Sequence, residues 1–361
     1  MSYNINIEKI KKDKKGIDIL ADIYFHAVFS EKLSFESLER IKWFGIYAED
    51  KNQDFFQIKV PLNMGQLNLE QIQIISLISK NYSNSFINLA SEQKILLKNI
   101  KLHNIPNIFN LLKSVDLNTS FEAGHTVRRV LTCPVNGIDE TQLFDVSDLA
   151  NKLNKAFIGN DDFSNLPNKL QIAISGYEEG CNTEFTPDIS FNATKNSKDK
   201  IVFTVNILGK TIGYISKTHV LNTAKCIINI YKDFGDRQNP DKSSFEYLVN
   251  NLGFNEFFHL LNSSINCKIQ RSTFIKNDAI PKKPRMGIHP SKIKDENYIG
   301  CKIENPNIKS SSFESLYSIL KKYDASKIKI THKSNIIILD VPCKNSDNLA
   351  KELCKIGFNA F

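Results

Sequence analysis

Apolar positions recur twice along this chain in the same order. Phe56, Ile58 and Val60 alternate with Gln57 and Lys59, the period of two that marks a half-buried strand. Ile72, Ile75 and Ile78 then share one side of an amphipathic helix. Two short strands, 86–89 and 95–100, follow it, and a second helix places Ile105, Ile108, Leu112 and Val115 at spacings of three and four. The order returns over 298–303, 312–322, 327–331, 335–341 and 345–356. Residues 87–120 and 328–361 align without a gap at an offset of 241, matching Ile87 to Ile328, Leu112 to Leu353 and Val115 to Ile356. Each copy is β-α-β-β-α, a ferredoxin-like half-unit. The predicted fold is α+β, with two half-units packed edge to edge or face to face about a pseudo-twofold axis that hides their edge strands.

A different pattern separates the copies. Residues 146–157 predict a helix, and 170–175 and 201–208 predict strands. Thr218 is placed to cap a helix with Leu221, Ala224, Ile228 and Tyr231 inward, and Ser243 or Ser244 to cap another that Gly253 ends. The organisation expected is a helical extension over 1–50, a half-domain over 51–122, an α/β domain over 123–265, a linker over 266–290 containing three prolines, and the second half-domain over 291–361.

Composition narrows the setting. The chain has 361 residues, 41% of them hydrophobic, and no apolar run reaches the roughly 18 residues a membrane span needs. A lysine-rich polar start points to the cytoplasm. Seven cysteines form an odd set with no C-x2-C or C-x3-C pair and are expected to be buried thiols. The formal charge of +8 is carried mainly by lysine beside abundant Ile and Asn, a mark of AT-rich coding. Without a Lys/Arg block interleaved with aromatics it does not predict nucleic-acid binding, and it suits an acidic protein partner.

Several ordered stretches resemble the ferredoxin-dependent nitrite reductases and related sulfite reductases. Lys15-Gly16-Ile17-Asp18 and Arg40-Ile41-Lys42-Trp43-Phe44-Gly45-Ile46 resemble K-D-G-L-D and R-L-K-W-L-G-L. His125-Thr126-Val127-Arg128-Arg129-Val130 resembles D-N-V-R-N-I, and Cys133-Pro134-Val135-Asn136-Gly137-Ile138-Asp139 resembles N/C-P-V-A-G-I-D. Phe163-Ser164-Asn165-Leu166-Pro167-Asn168-Lys169 resembles F-S-N-L-P-R-K. The resemblance implies sirohaem, a tetrapyrrole with eight carboxylates, a 4Fe-4S cluster, and six-electron reduction of a small anion, nitrite or sulfite, with ferredoxin as donor. It places Arg128 and Lys169 at the substrate, and Lys98, Arg128, Arg129 and Lys242 at the cofactor, since such a pocket needs fixed positive charge. Gln171, where sulfite enzymes usually have Lys and nitrite enzymes Asn, leans towards nitrite. Read as bare residues, Arg128 and Lys169 suit solvated loop cations equally well, and His125 suits a hydrogen-bonded polar group better than a metal ligand.

The departures matter as much. Where the family has T-T-R-Q-N the chain has Ala90-Ser91-Glu92-Gln93-Lys94, so an anion replaces a pocket arginine. Lys98 replaces the arginine of L-R-G, and Ser244 that of K-A-R. The family's cluster is held by C-x5-C followed by C-x3-C in the second copy. At the repeat offset the first of these falls past Phe361, while Tyr177 and Cys181 stand in the frame of the C-x3-C pair in the first copy, leaving Cys133 and Cys181 as relics. The resemblance therefore implies a truncated or degenerate member, not competent alone: either one half of a split reductase whose cluster domain a separate chain carries, or a non-enzymatic remnant that holds a tetrapyrrole or a partner. It also implies apolar faces left open on 328–361 and 123–265, and hence association or poor solubility.

Overall fold

The computed structural model describes residues 2–29, 32–178, 186–265, 269–270 and 285–361. Three helices open it: α1 (Ser2–Asp13), α2 (Ile19–Phe29) and α3 (Phe35–Ile41). The first half-unit comprises β1 (Ile46–Ala48), β2 (Phe56–Pro61), β3 (Gln66–Asn68), α4 (Leu69–Tyr82), β4 (Phe86–Ala90), β5 (Lys94–Ile100) and α5 (Ile105–Lys113). Asn68 and Gln71 form a reciprocal capping box that starts α4. The α/β domain follows with β6 (Leu131–Thr132), α6 (Ser147–Phe157), β7 (Ile172–Ser175), β8 (Ile189–Lys195), β9 (Ile201–Ile207), β10 (Lys210–Ile215), α7 (Val220–Phe234), α8 (Phe245–Leu252) and α9 (Phe254–Ser264). The second half-unit is β11 (Gly287–Pro290), β12 (Glu296–Cys301), β13 (Asn307–Lys309), α10 (Ser310–Lys322), β14 (Lys327–Ile330), β15 (Ile336–Pro342) and α11 (Ser346–Lys355).

Within the aligned span the repeat is copied in the backbone even where the letters differ. Left-handed residues recur at the same offset, Gln93 with Ser334, Asn99 with Asp340 and Asp116 with Gly357, although the side chains differ. The half-units also trade strands, which the sequence pattern did not predict. The first sheet runs β1-β2-β5-β4-β13 and the second β11-β12-β15-β14-β3, so β3 completes the second copy's sheet, with Leu67 opposite Ile328. Its counterpart β13 completes the first, with Ile308 opposite Ile87. Helices α4 and α10 pack together, and both copies contribute to one hydrophobic core.

The α/β domain has a separate core around the sheet β10-β9-β8-β7-β6, parallel from β6 to β8 and antiparallel beyond. Two local expectations fail. Thr218 lies in a 3-10 turn ahead of α7, which starts at Val220 without a side-chain cap, whereas Ser244 caps α8 by accepting from the Tyr247 amide. Gly287–Pro290, read as the end of the linker, is an edge strand antiparallel to β12. The rest of that linker over 271–284, together with Cys181 and Cys267, lies outside the described residues.

The open apolar faces predicted for 328–361 and 123–265 are also not found. Tyr298, Ile337 and Leu339 of the second sheet are covered by Cys133 and Val135. Within those two stretches only Phe361 and Phe234 are large hydrophobics exposed to solvent, among the described residues. Cys133 is held in a disulfide, against the expectation of seven thiols. Cys226, Cys301, Cys343 and Cys354 are free, and Cys343 is exposed.

Candidate functional site

Strand alternation sends Ile58, Val60, Ile95 and Leu97 into the core, which leaves Gln57, Lys59, Lys94, Leu96 and Lys98 on the opposite face of the first sheet. Lys59 stands opposite Leu96 and therefore flanks both Lys94 and Lys98. Its ammonium lies 4.1 Å from the centroid of the Tyr47 ring. At the repeat offset Leu96 and Lys98 correspond to Ile337 and Leu339, which are buried beneath the loop carrying Cys133 and Val135. One sheet face is thus apolar and covered, and its twin is cationic. Charges resist dry packing, so the cationic face is the one left able to meet a polar ligand.

At one end of this face the charge is concentrated and largely buried. Lys94 is only 6% exposed and lies between two carboxylates. It is 2.9 Å from Glu122, itself 4% exposed, and is also ion-paired with Glu92. Burial alone would lower the lysine's pKa, but Glu122 and Glu92 outweigh it and hold the value above the ordinary one. Burial pushes the Glu92 carboxyl up, yet Lys94, Lys169 and Arg128 together hold it below its usual range. Lys169 is 59% exposed, with its Nζ 3.8 Å from Glu92. Among the described residues Lys59 has no ion-pair partner, and burial, with Lys94 and Arg128 nearby, depresses its ammonium to about 8.

The loop from Gly124 to Val130 supplies the second wall. Arg128 is buried, its guanidinium donating to the Thr126 hydroxyl at 2.5 Å, the Thr126 carbonyl at 3.2 Å and the Gly124 carbonyl at 2.9 Å. It is committed to its own loop. Arg129 donates to Asn118 Oδ1 at 2.8 Å. His125 places Nδ1 2.8 Å from the Pro167 carbonyl, and burial, with Lys11 nearby, depresses it to about 3, so it stays neutral. Gln171 turns inward, with Nε2 bonded to the carbonyls of Arg129 and Ile172 at 2.8 and 3.1 Å. Its backbone amide donates to Asp188 at 2.7 Å, a carboxyl that burial pushes up to about 6. Asn168 is bonded to Ser243 at 3.0 Å, holding the turn of Lys242 beside that of Lys169. Lys242 is exposed, 5.9 Å from the Tyr247 ring centroid.

Arg128 and Lys169 are thus brought together around Glu92, while Lys98 lies along the sheet face. Sequence reasoning missed Glu122, Lys59 and Asp188, and it saw Lys94 only as part of a departure from a motif. Alternation of Lys59, Lys94 and Lys98 with core residues was the available signal for the sheet-face cations.

Two groups implied by the resemblance can be tried against these residues. In the C-x5-C and C-x3-C frame, Cys133 is followed by Asp139, and Tyr177 precedes Cys181. Tyr177 donates its hydroxyl to Asp139 at 2.9 Å, Arg285 is ion-paired with Asp139, and Cys133 is in a disulfide. A carboxylate and a phenol replace two thiolates, and this frame does not fit a cluster. Among the described residues no group of three or more His, Cys, Asp or Glu is arranged to hold a metal ion. A macrocycle with eight carboxylates needs cations free to receive it. Here Lys94 is neutralised by Glu92 and Glu122, Arg128 is bonded to its own loop, and Glu92 adds negative charge; so arranged, the pocket does not fit sirohaem.

Comparison with known proteins gives a consistent answer for the fold. Residues 123–269 match the family model described as nitrite and sulphite reductase 4Fe-4S domain. Residues 48–115 and 289–356 match the nitrite/sulfite reductase ferredoxin-like half domain. The assimilatory ferredoxin-dependent nitrite reductase of Haloferax mediterranei is 24% identical over 92% of this chain and 65% of its own length. The ferredoxin–nitrite reductase of Synechococcus elongatus is 23% identical over 93% of this chain and 69% of its own. The chain thus spans about two thirds of the length of these relatives. The solved structure of the Mycobacterium tuberculosis NirA protein superposes with a TM-score of 0.87 at 19% identity, covering 98% of this chain and 69% of that one. Among the described residues no helix is long and apolar enough to cross a membrane.

Proposed function

The chain belongs to the nitrite and sulphite reductase family, and on that premise we propose that it is a ferredoxin–nitrite reductase-type chain whose anion pocket has neutralised itself. These 361 residues do not, alone, carry out the six-electron reduction of nitrite to ammonia. The observation that carries this reading is Lys94, buried between Glu92 and Glu122. The names of the relatives support nitrite over sulfite as the ancestral substrate, with ferredoxin or a similar acidic protein as donor.

Within this reading Lys169 is the pocket cation best able to meet a small anion, because it is exposed and only loosely paired. Arg128 positions the loop beneath it. Lys59 and Lys98 extend positive charge along the sheet, and Arg129 and Lys242 remain cofactor-side residues by resemblance. The cationic sheet face carrying Lys59 and Lys98 supports, as a second reading, a non-enzymatic protein that uses its ferredoxin-like faces to hold a tetrapyrrole or another partner. The test is an absorption spectrum of the purified chain after incubation with sirohaem, followed by assays with reduced methyl viologen and either nitrite or sulfite. A colourless, inactive chain is expected. Sustained ammonium or sulfide formation by the chain alone would refute the proposal.

A further inference from the structure

Helix α2 is apolar on both sides. Ile19, Ile23 and Ala27 face the core, whereas Phe25, Val28 and Phe29 are 58%, 70% and 72% exposed, with Leu20 and Tyr24 beside them. Ile17 and Phe35 continue the patch, and these seven residues are most of the large hydrophobics exposed among the described residues. A helix that is apolar all round is normally buried, and monomers rarely leave a contiguous apolar patch above a few hundred Å². Taking about 150–250 Å² for a complete aromatic side chain, this patch presents roughly 700 Å² per copy.

The face carries both projections and hollows. A depression of about 640 Å³ is lined by Ile17, Leu20, Ala21 and Tyr24, with Lys14 and Asp18 at its rim. A second, about 300 Å³, lies beside Phe25 and His26 and reaches Ile41. The surrounding charges largely cancel: Lys14 is bonded to both oxygens of Asp22 at 2.6 and 2.7 Å, and Lys15 is paired with Asp161 at 3.1 Å. Such a rim selects neither an acidic nor a basic partner. It does permit a surface to meet itself, since a twofold axis brings like groups near like groups.

We propose that this face is the seat of a second copy of the chain. Two α2 helices cross about a twofold axis near Tyr24, and Phe25 and Phe29 of each enter the depression lined by Ile17, Leu20, Ala21 and Tyr24 of the other. The area removed from solvent is then about 1,400 Å², within the roughly 1,200–2,000 Å² of a stable interface. This places association on the N-terminal helices, far in sequence from the C-terminal half-unit where a truncated fold would be expected to stick.

Light scattering and sedimentation of the full chain across a concentration series supply the test. A dimer that dissociates on dilution is expected. The paired substitution Phe25→Glu and Phe29→Glu alters solvent-facing positions and leaves Ile19, Ile23 and Ala27 packed, so its melting curve should match the parent while its dimer dissociation constant rises about 100-fold or more. Tyr24→Cys, beside the axis, should give a disulfide-linked dimer under mild oxidation, identified by mass spectrometry of the linked peptide. A parent chain that stays monomeric throughout, a paired variant with unchanged dimer affinity, or a chain that engages only anionic vesicles would each overturn the proposal.

Discussion

Replacing Lys94 with methionine should be among the most damaging single changes to this protein, and its cost should depend on pH. The lysine is 2.9 Å from Glu122; at an effective dielectric of about 20 that attraction is about 6 kcal/mol, much of it offset by desolvation. Removing one partner leaves Glu122 buried and uncompensated beside Glu92, which typically costs about 3–5 kcal/mol. In the parent, the pairing stabilises the fold above the ordinary glutamate pKa of 4.5 and is lost as pH falls through the depressed value of Glu92. On the alkaline side it is fully present below the ordinary lysine value of 10.5 and is lost as pH rises through the raised value of Lys94. In Lys94→Met the stranded carboxylates take up protons more readily, so the destabilisation should be full at pH 7 and shrink towards pH 5. Thermal unfolding should show a fall of about 5 °C at neutral pH, with partial recovery when Glu92→Gln and Glu122→Gln are added. A loss below about 1 kcal/mol, the scale of an exposed pair, or an equal loss at both pH values would refute the claim that this triad is buried and coupled.

Two further outcomes follow from single side chains. The Asp188 carboxyl, raised from 3.8 to about 6, should titrate near that value by carbon NMR; because its native pKa is raised, it should withdraw stability as pH climbs from 3.8 through about 6, and Asp188→Asn should remove that slope. Titration of Asp188 below 4 would contradict its burial. Gln93 donates to the carbonyls of Thr132 and Ile330 and accepts from the Thr132 amide, so Gln93→Leu should cost about 2–4 kcal/mol, with faster hydrogen exchange at Thr132; unchanged exchange there would mean that the bridge is not formed.

The half-units were legible because each element is long enough to show its period. β2 alternates over six residues, α4 and α5 present repeated apolar faces, and the second copy confirms the first. The strand exchange was not legible. β3 and β13 are three residues each, and Leu67 and Ile308 are their only apolar members, too few to reveal a period or a partner. In the site, residue types were informative but directions were not. Arg128 and Gln171 stand in motifs that imply a pocket, yet both turn towards backbone carbonyls within the protein. Glu122 carries no motif and matters only because the fold brings it to Lys94. Cys133 was read as a thiol because spacing alone does not reveal a disulfide.

The exchanged strands set the order in which this chain has to be assembled. Leu67 must meet Ile328, and Ile87 must meet Ile308, pairs separated by more than two hundred residues. Neither sheet acquires its fifth strand until the ends of that span are brought together, and the whole α/β domain lies within the loop being closed. Loop-closure entropy grows only slowly with length, so the arrangement is thermodynamically tolerable, but non-local pairing delays folding. A domain that folds early inside the loop shortens the effective search, turning a long flexible tether into a rigid spacer. Geometrically, two halves that each lend a strand to the other are what fusing a strand-swapped homodimer end to end would leave. In such an ancestor the pairing now made within one chain would have joined two identical polypeptides.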